Sequence, residues 1–254
     1  MIRFAAAALF LFISFLPLDS FSFTPAEINA LEPGILEKPV GNRIAFWAEQ
    51  FIGTPYDQDP LGDYVRRALI VADERVDCMY LTFRAVELAL SGSYQEAVDK
   101  ALFTRFQTRG VLKDGKVVNY DERYQDGIEM IRSGKYGTEI TASLGKTRQF
   151  EEPNRGETFD FLPRPELEKG SDQLRTGDIV YFVRDSAKTS GGLIAHIGIV
   201  KVETKEDGSG RIVYLIHASG TKKRGGSVKK VLLDDYLSHM QHAGAKISRL
   251  SEGN

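Results

Sequence analysis

The segment IAHIGIVKVETKEDGSGRIVYLIHAS, residues 194–219, sets the architecture of the second half of the chain. Two runs rich in β-branched residues flank the turn-forming residues 206–210, a pattern typical of an antiparallel β-hairpin. His196 lies near the start of the first predicted strand and His217 near the end of the second, which suits neighbouring positions on paired strands. A histidine beside a second one can orient its ring by accepting an Nδ1–H hydrogen bond.

Helical and β-rich patterns occupy different parts of the chain. Residues 78–90 are nearly all apolar or helix-forming, which predicts a buried helix with Asp77 as its N-cap. Residues 23–41 contain three prolines and predict an extended lead-in, whereas residues 42–52 have helical spacing. Short β-rich runs fill most of residues 178–250. Helices followed by antiparallel strands predict an α+β fold in one domain.

Cys78 is the single cysteine of the chain, and it stands at the first turn of the predicted buried helix. The positive end of the helix dipole and the free backbone N–H groups there favour a thiolate, so we expect a lowered pKa and a nucleophilic sulfur. The same N–H groups could hold a developing oxyanion. The alternative is a buried structural cysteine that takes no part in chemistry.

Taken together, Cys78, His196 and His217 form a predicted set of nucleophile, base and orienting residue. The other two histidines, His239 and His242, are three residues apart in residues 234–242, which predict a short helix. That spacing can bind a metal, but no carboxylate cluster accompanies it, so we interpret the pair as part of a solvated helix face.

Composition and charge restrict the classes of protein and of partner. The chain has 254 residues, 42% of them hydrophobic and 27% charged, with a formal net charge of -2. These values describe a globular protein rather than a disordered one, and they give no basic excess for binding nucleic acid. The oligomeric state stays open.

Residues 1–22 have the pattern of a secretory signal peptide. Arg3 precedes an uncharged apolar run, and small residues follow at positions suited to cleavage. The run is shorter than the roughly 17–25 residues that a spanning helix needs. We therefore predict export to the periplasm or the medium, no membrane contact after cleavage, and a single domain over residues 23–254.

Five motifs occur in an order that resembles the NlpC/p60 cysteine peptidases and amidases. They are AEQFIGTPY at 48–56, VDC at 76–78, RTGDIVYF at 175–182, HIGI at 196–199 and IHAS at 216–219. The Arg-Val-Asp-Cys and His-Ala-Ser contexts look most like the N-acetylmuramoyl-L-alanine amidase-like subgroup. Residues 94–170 match none of these motifs, and we interpret them as an insertion that helps to shape the cleft.

The resemblance implies a papain-like α+β fold and hydrolysis of an amide bond in bacterial peptidoglycan or muropeptides. It implies that Cys78 is the nucleophile, His196 the base and later the acid, and His217 the orienting residue. Tyr56 and Asp77 would line the substrate side. The implied acyl transfer pairs a Cys78 thiolate with an imidazolium and requires no metal or organic cofactor.

Three other interpretations stay open at this point. Transferases of the same fold replace water by an amine or alcohol acceptor. A non-catalytic cell-wall binding module would keep an ordinary thiol, with a pKa of about 8.5. A metal site made of Cys78 and the histidines would lose its metal to a chelator. The bond that is cut, and whether the substrate is intact wall or a soluble fragment, are not predicted.

Overall fold

The computed structural model describes residues 23–151, 158–185, 193–221 and 224–252. The predicted signal peptide, residues 1–22, lies outside the described residues. The described chain is a mixed α+β structure built on an antiparallel sheet, which confirms the predicted class. Within this part of the chain, no helix has the length and apolar composition that crossing a membrane requires.

The helices lie mainly in the first two thirds of the chain. They are α1 (Pro25–Ile35), α2 (Val40–Gln50), α3 (Asp63–Arg66), α4 (Cys78–Ala89), α5 (Tyr94–Thr104), α6 (Gly127–Ser133), α7 (Thr141–Leu144), α8 (Arg164–Gly170) and α9 (Leu233–His239). Short 3₁₀ turns cover Tyr120–Glu122 and Ser171–Gln173.

The strands form one large sheet and one small hairpin. They are β1 (Leu112–Lys113), β2 (Lys116–Val117), β3 (Thr138–Glu139), β4 (Arg148–Glu151), β5 (Thr158–Pro163), β6 (Ile179–Arg184), β7 (Ile194–Thr204), β8 (Arg211–Thr221), β9 (Gly225–Leu232) and β10 (His242–Arg249). In the described residues the sheet runs β4-β5-β10-β6-β7-β8-β9, with β3 paired to β10. The predicted hairpin is present, because Thr204 of β7 pairs with Arg211 of β8.

Alternation along the central strands gives the sheet two different faces. Ile197 and Ile199 of β7 belong to the core that also contains α2 and α4. Phe182 and Leu215 belong to a second core, closed by Leu237 of α9. One end of β7 and β8 is therefore approached by α4 from one side and by α9 from the other.

The predicted extended lead-in at residues 23–41 is wrong. Thr24 accepts the Glu27 N–H and the Glu27 carboxylate accepts the Thr24 N–H, a capping box that starts α1 at Pro25. The helix continues through Pro33 to Ile35, so this proline does not stop it, although it removes one intrahelical hydrogen bond. Helix α2 also begins earlier than predicted, at Val40.

Residues 94–170, the predicted insertion, form α5 to α8 and β1 to β5. Strand β5 pairs with β10, so part of this segment lengthens the central sheet. Its helix α6 packs on the start of β7: a Cβ added at Gly127 would lie 2.9 Å from the Ile194 side chain. The segment thus reaches within two residues of His196.

Candidate active site at the start of helix α4

Helix α4 begins at Cys78 because Asp77 caps it. The Asp77 carboxylate accepts the Tyr80 N–H at 2.7 Å, and the Asp77 backbone is extended, as an N-cap requires. Cys78 is half-buried, and its carbonyl accepts the Thr82 hydroxyl at 2.8 Å. The predicted cap is therefore present and it fixes the first turn around the sulfur.

The sulfur of Cys78 faces the start of strand β7. Its charged form is favoured by the backbone N–H of Ile197 and by the N–H groups of Cys78 and Met79. Burial outweighs these donors, and the Asp77 carboxylate adds to its effect, so the pKa of the Cys78 thiol is raised to about 12. This direction is the reverse of the expected lowered pKa and resting thiolate, because burial and the Asp77 carboxylate outweigh the N–H groups of the helix end.

The two predicted histidines meet in a direct contact. His196 Nε2 lies 2.7 Å from His217 Nδ1, and the ring planes are nearly perpendicular at 81°. The contact uses Nε2 of His196, not the Nδ1 that we expected. Since Nε2 is occupied by His217, Nδ1 is the nitrogen of His196 that remains for acid–base chemistry.

Both imidazoles are neutral at pH 7. Burial, followed by the nearby His217 and His242, lowers the pKa of His196 to about 3. Burial and the Lys229 ammonium lower the pKa of His217 to about 4. A neutral pair shares one proton along the 2.7 Å contact, so the tautomer of one ring sets the tautomer of the other.

Sequence reasoning missed the aromatic neighbours of this pair. Tyr236 of α9 lies with its ring centroid 5.0 Å from that of His217 and 6.2 Å from that of His196. Phe182 of β6 stacks on His196, and His242 stacks on Phe182. The reading of His242 as part of a solvated helix face is wrong, since it is half-buried and begins β10.

His239 does lie on α9 and is exposed, as predicted. Helix α9 ends at His239, so the two histidines do not share a helix. Across the described residues, no three His, Cys, Asp or Glu side chains come together in a group that could hold a metal ion.

Tyr56 reaches the same region from the loop after α2. Its backbone N–H donates to Gly226 at 2.8 Å, and its ring lies on Gly220, where an added Cβ would be 2.5 Å from the ring. Burial, followed by negative charge on Cys78, Asp77 and Asp57, raises the pKa of Tyr56 to about 12. Glycine at 220 thus allows Tyr56 to lie beside the cysteine.

An open cleft of about 550 Å³ lies along the loop that follows Tyr56. Its lining consists of Asp57, Gln58, Asp59, Asp63, Arg67 and Arg75. The buried Asp57 carboxylate accepts the N–H groups of Asp59 and Asp63 at 2.9 and 2.7 Å, which fixes the loop. Of the predicted site residues, Tyr56 and Asp77 lie near Cys78, the Cys78 sulfur faces the backbone of Ile197, and His196, which precedes Ile197, contacts His217.

Comparison with known proteins gives relatives by structure only. No family model and no curated protein matches the sequence. An N-acetylmuramoyl-L-alanine amidase from Bacteroides uniformis matches with a TM-score of 0.62 and 21% identity, over 84% of this chain and 99% of that one.

Two further solved structures have the same fold. A Legionella pneumophila protein, LPG0564, of the family DUF1460 matches with a TM-score of 0.66 and 18% identity, over 89% of this chain and 94% of that one. A Bacteroides fragilis protein that carries the provisional name of a xylanase matches with a TM-score of 0.58 and 20% identity, over 81% and 100%. At such identities the matches show a common fold.

Proposed function

We propose that this protein is a cysteine hydrolase of the NlpC/p60 type that cleaves an amide bond in bacterial peptidoglycan or muropeptides. The observation that carries the proposal is the contact between His196 Nε2 and His217 Nδ1, together with a helix-starting Cys78 whose sulfur faces the backbone N–H of Ile197, the residue after His196. The name of the Bacteroides uniformis neighbour, an amidase of N-acetylmuramoyl-L-alanine, supports this substrate class.

The resting site holds a neutral thiol and a neutral imidazole, so deprotonation accompanies attack. His196 Nδ1 takes the proton from the Cys78 Sγ–H as the sulfur bonds to the substrate carbonyl carbon. The negative charge moves to the carbonyl oxygen, and the backbone N–H of Cys78 at the helix start stabilises it. His217 Nδ1 accepts the Nε2–H of the His196 imidazolium and holds its ring.

Collapse of the tetrahedral intermediate breaks the carbon–nitrogen bond. His196 gives its proton to the leaving amine, which departs and leaves a thioester on Cys78. Water then attacks the thioester carbonyl, His196 takes a proton from that water, and the proton returns to the sulfur as the acid product leaves. The cycle ends with the neutral thiol and imidazole restored.

The shared proton of the histidine pair makes this mechanism sensitive to acid. When His217 is protonated, its Nδ1–H can only donate to His196 Nε2. His196 must then carry its own proton on Nδ1, and it is no longer a base toward the sulfur. A single proton on the pair therefore abolishes general-base catalysis.

Export belongs to the same proposal. A hydrolase acting on cell-wall peptide meets its substrate outside the cytoplasm, and residues 1–22 have the pattern of a cleaved signal peptide. We place the mature protein in the periplasm or the medium.

The test uses a panel of defined muropeptides and mass spectrometry of the products. Cys78→Ala is expected to abolish product formation while the melting temperature stays within about 2 °C of the wild type. Met79→Leu, on the same helical turn, is the matched control and is expected to retain activity. Full hydrolysis by Cys78→Ala would contradict the proposal, and products that carry an added amine acceptor in place of water would identify a transferase.

A further inference from the structure

Tyr236 contacts both histidines, and the mechanism above gives it no role. Its ring lies nearly parallel to that of His196, at 28°, and edge-on to that of His217, at 75°. The ring is half-buried, and helix α9 carries it across the sheet face on which the imidazoles lie. Burial raises the pKa of Tyr236, and negative charge on Cys78 contributes in the same direction.

The Tyr236 ring is itself held by two residues on neighbouring strands. Phe182 lies with its centroid 4.9 Å from that of Tyr236, and it also stacks on His196 at an interplanar angle of 20°. His242 stacks on Phe182, and its Nε2 lies 3.5 Å from the Tyr236 hydroxyl oxygen. The 3.5 Å contact is long for a hydrogen bond, so ring packing rather than the hydroxyl carries the arrangement.

Other titratable groups face the histidine pair from every surrounding element. Lys229 lies opposite His217 on the neighbouring strand β9, and it lowers the pKa of His217. His242 lowers the pKa of His196, and Arg184 lowers the pKa of His242. For both imidazoles, burial is the largest cause of the lowered pKa. Whatever covers the rings therefore sets the pH range in which they stay neutral.

We propose that Tyr236 is a positioning residue whose ring, seated against Phe182 and His242, covers the His196–His217 contact and keeps both imidazoles dry and aligned. This inference rests on the proposed function of the same site, and it adds the residue that keeps His196, the proposed base, in position. Tyr236 acts through His196 and His217 and does not exchange protons with the substrate.

Replacing the ring is expected to alter the pH profile as well as the rate. In Tyr236→Leu, water reaches the imidazoles, so the acidic limb of kcat moves up by about one pH unit or more. We expect kcat to fall about 10–100-fold through misalignment of the base, while KM changes less than about threefold. Tyr236→Phe keeps the ring and is expected to stay within about threefold of wild-type kcat.

Leu237→Ala is the matched control for the packing of α9, because Leu237 is fully buried on the same sheet face as Tyr236. It is expected to lower the melting temperature without moving the acidic limb. A wild-type kcat and acidic limb in Tyr236→Leu would overturn the inference. An equal loss in Tyr236→Phe and Tyr236→Leu would also overturn it, because the hydroxyl would then be the active group.

A second measurement needs no substrate. NMR titration of the imidazole signals is expected to show His196 and His217 neutral down to below about pH 5 in the wild type and titrating nearer to about pH 6.5 in Tyr236→Leu. Identical titrations in the two proteins would overturn the inference. If the wild type hydrolyses no muropeptide, the proposed function fails, and this titration still decides what Tyr236 does.

Discussion

Helix α4 carries two clusters of titratable side chains that are buried in different ways. In its middle, Arg84 donates to Asp73 at 2.8 and 3.0 Å, and Arg105 donates to Glu87 at 2.6 and 2.7 Å. The Arg84, Asp73 and Glu87 side chains are fully buried and each has an opposite charge beside it. Here burial is compatible with charge because every carboxylate faces a guanidinium.

The cluster at the start of the same helix has no such compensation. Cys78 and His196 are half-buried and His217 is buried, no carboxylate pairs with either imidazole, and the shifted pKa values leave all three groups neutral at pH 7. In the proposed mechanism, charge appears there only when a substrate is attacked. The charged cluster therefore fixes the middle of α4, while the same fold keeps the cluster at the start of α4 uncharged.

The largest expected effect is a loss of activity when the uncharged cluster of Cys78, His196 and His217 is broken. In His217→Ala the Nε2 of His196 loses its partner, so we expect kcat to fall by roughly 10²–10⁴-fold with the fold retained. His217→Asn offers an amide oxygen that can accept the His196 Nε2–H, and it is expected to recover at least tenfold over the alanine variant. Steady-state kinetics on a muropeptide checks this. Equal activity of the wild type and His217→Ala would contradict it.

Breaking the charged cluster is expected to cost stability. Glu87→Gln leaves Arg105 without a facing carboxylate in a buried site, while Arg84 keeps Asp73, and we expect the free energy of unfolding to fall by about 3–5 kcal/mol. Urea denaturation measures this loss. Glu168→Gln, at the exposed pair with Arg164, is the matched control and should cost less than about 0.5 kcal/mol. A similar loss in both variants would contradict the comparison.

The smallest expected effect is a loss of stability in acid that comes from the two buried imidazoles. The pKa values of His196 and His217 are lowered on folding, so the unfolded chain binds more protons below pH 6.5 and stability falls as the pH falls. Between pH 7 and pH 5 each imidazole should cost about 2 kcal/mol. The double variant His196→Gln, His217→Gln should lose that part of the pH dependence.

That comparison with the double variant is needed because Glu32 acts in the opposite direction. Burial raises the pKa of its carboxyl to about 7, so its contribution to stability grows as the pH falls. An identical pH dependence in the wild type and the double variant would contradict the neutral burial of the imidazoles.

Local sequence pattern predicted the elements that are built locally. Asp77 caps α4 as expected, because capping depends on a few adjacent residues. Residues 206–210 join β7 to β8, because turn residues between two β-rich runs determine a hairpin. At the start of α1 the capping box of Thr24 and Glu27 outweighs the nearby prolines, which by themselves indicate an extended chain.

The features that sequence could not predict arise from packing between distant segments. Tyr236 joins the histidines because α9 crosses the sheet, and no short pattern marks such a contact. The choice of Nε2 on His196 depends on ring orientation between two twisted strands. The raised pKa of Cys78 comes from burial by elements far from it in the chain, whereas the helix end alone predicts the reverse.

The most direct test of the central claim is the intact mass of the protein after rapid quenching of a reaction with a muropeptide. We predict an acyl adduct on the protein, and the added mass identifies the bond that is cut. After digestion, the adduct is expected only on the peptide that contains Cys78, and we predict no adduct in His196→Ala. Complete turnover without any adduct, or an adduct that persists unchanged in Cys78→Ala, would contradict the account.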